Sequence, residues 1–181
     1  MLMNYLNIGI SFLIVAVPIA ILCVLFYYVI NFLISKKSTF VPLKIVFEIS
    51  WVAIIISILF ITGVINPNYN LNSILELDIQ FSFKIFEEGL TPATLLNLIL
   101  FIPYGFLTAI VLKNTREKMI YGFLIGLLFS IGIEFTQCFT GRFVELEDLL
   151  MNTLGGYIGY LLSIFFIKYK NKRQIKCLNF I

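Results

Sequence analysis

Five apolar runs divide this chain, and each is long or apolar enough to cross a hydrocarbon core of about 30 Å, which takes roughly 20 helical residues. They lie near residues 8–34, 45–65, 95–112, 119–137 and 149–167. A spanning backbone has no water to bond with and must satisfy itself, so runs of this kind are helices. The expected fold class is therefore all-α: a polytopic membrane helical bundle of about five transmembrane helices, with residues 1–181 forming one domain. Composition agrees, because a chain that is 60% hydrophobic and 13% charged carries more apolar surface than a soluble core of 181 residues can hide.

The first run starts close to Met1, yet nothing basic precedes Lys36 and the run exceeds the apolar core of a signal peptide. It reads as a retained helix, with Pro18 as a position for a kink. Orientation follows from the basic residues, which accumulate in cytoplasmic loops. Lys36, Lys37 and Lys44 follow the first run, Lys113, Arg116 and Lys118 the third, and Lys168, Lys170, Lys172, Arg173 and Lys176 the fifth. These are 11 of the 13 basic residues. The expected topology has the N-terminus outside and the C-terminus in the cytoplasm. Eight of the ten acidic residues then fall outside, Glu48 and Glu117 being the exceptions.

The net charge of +3 is not a nucleic-acid signal, because the cations border membrane segments and are accounted for by topology and anionic headgroups. Cys23, Cys138 and Cys177 fall at different depths and imply no disulfide framework. The long outer connection, 66–94, alternates from Leu75 to Ile85 between apolar and polar residues. Period-two alternation marks an extended segment with one apolar face. Two readings follow: a short strand or hairpin arm over the helix ends, or an irregular loop. Thr91 before Pro92 is a helix start signal.

Within the last three runs the polar residues are ordered. Gly122, Gly126, Ser130 and Glu134 recur every fourth residue, and Asp148, Asn152, Gly156, Gly159 and Ser163 form a second stripe with Gly155 beside it. Small residues at this spacing let membrane helices approach closely, so the two stripes are expected to mate. They could equally serve a contact between copies, which leaves the oligomeric state open. Mating brings Glu134 and Gln137 opposite Asp148 and Asn152, with Asn97 near the start of the third helix within reach.

Glu134 is the residue least explained by topology, since a carboxylate in hydrocarbon is costly unless paired or used. Protonated it would be an acid or donor, and ionised it would be a base or counter-charge. Arg142 suits bidentate contact with phosphate or carboxylate, from a ligand or from Asp148. Asp148 can also cap the fifth helix. The chain holds no histidine, which excludes histidine-ligated zinc and every histidine relay. Glu134, Glu145, Glu147 and Asp148 could offer oxygen ligands to magnesium or calcium, but their spacing is not diagnostic and no metal or cofactor is expected.

The segments NLILFIPYGF at 97–106, GIEFTQ at 132–137 and GRFVELEDLLMNTLGGYIGY at 141–160 together resemble the VanZ-like family of bacterial membrane proteins. Asn97, Pro103, Gly105, Glu134, Gln137, Arg142, Asp148, Asn152 and Gly155 stand at motif positions. Glu145 departs from the aspartate often found three residues after the arginine. The resemblance implies a multi-pass protein of the bacterial plasma membrane whose namesake lowers sensitivity to the lipoglycopeptide teicoplanin. The expected function is an outer-leaflet polar pocket that binds an anionic membrane lipid or lipid-linked cell-wall precursor. Asn97, Gln137, Arg142 and Asn152 would be ligand-binding residues. The alternative is a membrane hydrolase or transferase acting on a lipid or polyprenyl phosphate, with Glu134 and Asp148 as catalytic residues.

Overall fold

The computed structural model of the protein describes residues 42–65, 81–87, 89–139 and 144–178, together with 25–30 and residues 14, 18, 21 and 22. Among these, four helices are long and apolar enough to span a membrane: α1 (Leu43–Ile61), α2 (Pro92–Val111), α3 (Ile120–Gln137) and the first 25 residues of α4 (Leu146–Leu178). The described residues of the first apolar run are helical. The other residues of that run, which a kink at Pro18 would involve, lie outside the described residues, as do 66–80 and Arg142. The chain is an all-α membrane bundle whose described strands are two residues each.

Local signals set the helix ends. Thr91 caps α2 by accepting from the Thr94 amide at 3.2 Å, and Pro92 takes the first helical position, where no amide is missed. α1 stops at a left-handed Gly63 with φ of 76°, and Ile65 then bonds back to the Leu59 carbonyl at 3.0 Å. Pro103 does not break α2, which runs through it. α4 begins three residues earlier than the apolar run and continues beyond it into the basic tail. Glu147 and Asp148 in its first turn favour the positive end of its dipole.

α4 is the central helix: half of its apolar window is buried, against 17% for α1. Its two faces meet different partners. Toward α2 the approach is backbone to backbone. A Cβ placed on Gly155 would lie 2.1 Å from the Leu98 carbonyl oxygen, one on Gly159 would lie 2.0 Å from that of Ile102, and one on Gly105 would lie 1.8 Å from that of Gly156. Toward α3 the contact is looser. Gly126 faces the Thr153 carbonyl at 3.3 Å from a virtual Cβ, Gly156 lies over Gly126, and Gly122 makes room for the Tyr160 ring. Ser130 donates to the Leu149 carbonyl at 3.3 Å.

The small-residue stripe of α3 thus lies against α4, but the tightest glycine packing of α4 is with α2. Residues 155 and 159 share one side of a helix, whereas 152 and 156 are turned about 100° from it, as 3.6 residues per turn requires. A second core joins α1 to α2 and α3 around Ile58, Leu100, Phe101, Tyr104 and Ile133. Tyr104 stacks on Phe129 with centroids 4.5 Å apart, and Trp51 donates to the Thr108 hydroxyl at 2.9 Å.

β1 (Phe81–Ser82) pairs in parallel with β2 (Val144–Glu145), Phe81 opposite Val144 and Ser82 opposite Glu145. The end of the alternating segment is therefore extended, and among the described residues its partner is the segment just before α4. The strand ties the long connection to the end of the bundle where α3 stops and α4 starts.

Gly155→Ala and Gly159→Ala should each lower the unfolding midpoint in detergent by an amount equivalent to about 1–3 kcal/mol, because the added methyl meets backbone that cannot turn aside. Gly132→Ala, where a Cβ meets nothing within 4 Å, should be neutral or slightly stabilising. The fluorescence of Trp51, the one tryptophan in the chain, reports the transition.

Candidate functional site

Close packing of α2 on α4 brings Asn97 to Asp148, whose carboxylate accepts from the Asn97 amide at 2.5 Å. α3 adds two polar residues from its last turn. Glu134 accepts from the backbone amide of Glu145 at 3.3 Å, and Gln137 donates to the Thr62 carbonyl at 2.9 Å. The Thr62 carbonyl belongs to the residue capping α1. Gln137 thus ties α3 to α1 where α1 ends.

Between these groups lies a cavity of about 260 Å³ lined by Asn97, Glu134, Gln137, Glu145, Asp148 and Asn152, with Thr62 and the apolar residues Ile61, Ala93, Leu96, Leu100 and Ile133. Glu134 and Gln137 are buried, and Asn152 is 2% exposed. The Asn152 side-chain oxygen Oδ1 has no hydrogen-bond partner among the described residues. A buried acceptor without a donor costs about 1–3 kcal/mol, so a wall of the cavity carries an unmet demand for a donor.

A neighbouring cavity of about 290 Å³ shares Ala93, Glu145 and Asp148 with the first and extends to Ser82, Lys84, Glu87, Thr91, Thr94 and Glu147. Its wall is built by the long connection. Glu147 accepts from the Thr94 hydroxyl on one oxygen and from the Phe86 amide at 3.1 Å on the other. Phe86 is held at a φ of 54°, unusual for a residue with a side chain. Lys84 pairs with Glu87 at 2.7 Å, both exposed, a contact of small energetic weight. Among the described residues no three of the histidine, cysteine, aspartate or glutamate side chains are arranged to hold a metal ion. Cys138, just past α3, has its thiol pushed up by burial and further by the charge of Glu134, although the thiol's own backbone contact opposes this.

A family model described as VanZ/LLP1 matches residues 12–167, most of the chain, from within the first apolar run to the end of the fifth. The chain belongs to the VanZ/LLP1 family. No curated protein and no solved structure gives a significant match. Of the polar residues at the motif positions of the VanZ-like resemblance, Asn97, Glu134, Gln137, Asp148 and Asn152 line one cavity. Arg142 lies outside the described residues. Gly105 and Gly155 are the points where α2 and α4 touch.

Sequence reasoning did not single out Thr62 or Thr94 as parts of this region, and it grouped Glu147 with the carboxylates without its role at Thr94 and Phe86. Thr62 and Thr94 act through a carbonyl freed at a helix end and a hydroxyl in a first turn, and neither carries a local signal of its distant partner. Glu147 was visible only as one more carboxylate.

Replacing Gln137 by Leu should detach the end of α1 from α3. The expected loss is about 0.6–2 kcal/mol, as for other membrane hydrogen bonds. Faster amide exchange at Gly63 and Ile65, with exchange at the start of α2 unchanged, would report it.

Proposed function

We propose that the cavity at the junction of α1, α2, α3 and α4 receives the polar headgroup of a membrane amphiphile, either a phospholipid or a lipid-linked cell-wall precursor. The observation that carries this reading is the Asn152 side-chain oxygen, buried and without a donor among the described residues, in a cavity whose other polar walls are mostly carboxylates and amides. Such a wall asks for hydroxyl, amide or ammonium donors. At about 260 Å³ the space lies below the usual range of about 300–1,000 Å³ for small-molecule sites, so it fits a headgroup and not a whole lipid. The exposed apolar flanks of the helices leave the acyl chains in the bilayer.

In this reading Arg142, in the connection between α3 and β2, takes the anionic group of the headgroup, and Glu134 and Asp148 take its donors. Asn97 holds Asp148 in place, and Gln137 ties α3 to the end of α1. The charge pattern supports a topology with this end of the bundle outside the cell and the C-terminus in the cytoplasm. Holding an envelope lipid there would lower sensitivity to lipoglycopeptides that act on the same surface.

A second reading is favoured by the presence of Glu134 and Asp148 in one cavity. Glu134 would then be the acid or base of a hydrolase or transferase acting on a lipid or polyprenyl phosphate. Turnover of such a lipid by the purified protein, lost in Glu134→Gln, would select catalysis over binding.

For the binding reading, Asn152→Ala, Glu134→Gln and Arg142→Ala should each reduce the lipid that co-purifies with the protein and restore teicoplanin sensitivity to a strain protected by the wild-type gene. Wild-type protection by variants shown to be inserted at normal levels would refute it.

A further inference from the structure

At the other end of the bundle, about 20 Å away along α2 at 1.5 Å per residue from Asn97 to Ile110, α1 and α2 enclose a separate cavity of about 230 Å³. Lys44, Lys113 and Arg116 line it against one carboxylate, Glu48. That carboxylate is already engaged with Lys44 at 3.4 Å. Lys113 has no ion-pair partner among the described residues. Arg116 donates through Nε to the Ala109 carbonyl and through Nη2 to the Ile110 carbonyl at 2.6 Å. The guanidinium is thereby fixed over the carbonyl end of α2, whose partial negative charge would otherwise repel an anion. Burial lowers the affinity of Arg116 for its proton. With three cations against one carboxylate the cavity is left with a surplus of positive charge.

The remaining wall is apolar and belongs to the spans, with Phe47 from α1 and Val111 from α2. α1 has 19 residues and α2 has 20, which at 1.5 Å each gives about 30 Å, the thickness of the hydrocarbon core. Lys44 and Lys113 at their ends therefore stand at headgroup depth. We infer that this cavity binds the phosphate of an anionic phospholipid, with Lys113 and Arg116 on the phosphate, Lys44 at its rim and an acyl chain along Phe47 and Val111. A free phosphate ion would satisfy the cations but has no use for the apolar wall. The site is independent of the carboxylate cavity.

Native mass spectrometry of the full-length protein, titrated with phosphatidylglycerol or phosphatidylcholine of identical acyl chains, tests this. The wild type should retain phosphatidylglycerol preferentially. Lys44→Gln with Lys113→Gln should weaken that binding by about fivefold or more per lysine removed. Lys168→Gln with Lys170→Gln, which removes the same charge from exposed positions on α4, should leave it unchanged, and millimolar inorganic phosphate should not displace the lipid. Equal retention of the two lipids, wild-type binding by the Lys44/Lys113 variant, an equal loss in the α4 control or displacement by phosphate would each overturn the assignment. Both lysines are exposed, so the variants are not expected to disturb folding.

Discussion

The structure depends on the close approach of the α2 and α4 backbones. In hydrocarbon there is no hydrophobic gain from bringing two apolar helices together, so association rests on contact area and on hydrogen bonds. Gly155 and Gly159 on α4 lie against the carbonyls of Leu98 and Ile102, and Gly105 on α2 lies against the carbonyl of Gly156. Any side chain at these positions would force the helices apart. A separation of that kind would break the 2.5 Å bond from Asn97 to Asp148. It would also open the cavity that both residues line.

Much of this was readable in the sequence. Run lengths and patterns located the four spans found among the described residues, because the bilayer sets both the length and the helical form. The polar residues that line the cavity were also recoverable, since a polar group within an apolar span is conspicuous and helix spacing sets its face and depth. The partner of the closest glycine face was not. Gly155, Gly156 and Gly159 cover two sides of α4, and a list of small residues does not say which neighbour takes which side. The alternation before Ile85 announced an extended segment, but its partner, Val144–Glu145, lies 63 positions away along the chain. Likewise the reach of Thr94 to Glu147 depends on how two helix starts are placed beside each other. These are tertiary facts with no local trace.

The bundle is chemically polar along its axis. Carboxylates and side-chain amides gather where α1 and α3 end and α2 and α4 begin, and cations gather where α1 begins and α2 ends. Membership of the VanZ/LLP1 family, over residues 12–167, spans both ends. The carboxylate end is roofed by a connection that pairs with β2 and donates the Phe86 amide to Glu147, so the loop and the site are one construction. A headgroup entering there would complete the hydrogen bonding that the described residues leave open at the Asn152 side chain.

An experimental structure of the full-length protein in a lipid bilayer tests that claim most directly. The account predicts non-protein density in the cavity beside Glu134 and Asp148, with a donor within hydrogen-bond distance of the Asn152 side-chain oxygen Oδ1. A collapsed, dry cavity in which Asn152 is paired with another side chain of the protein would contradict it, and the polar cluster would then serve only to hold the helices together.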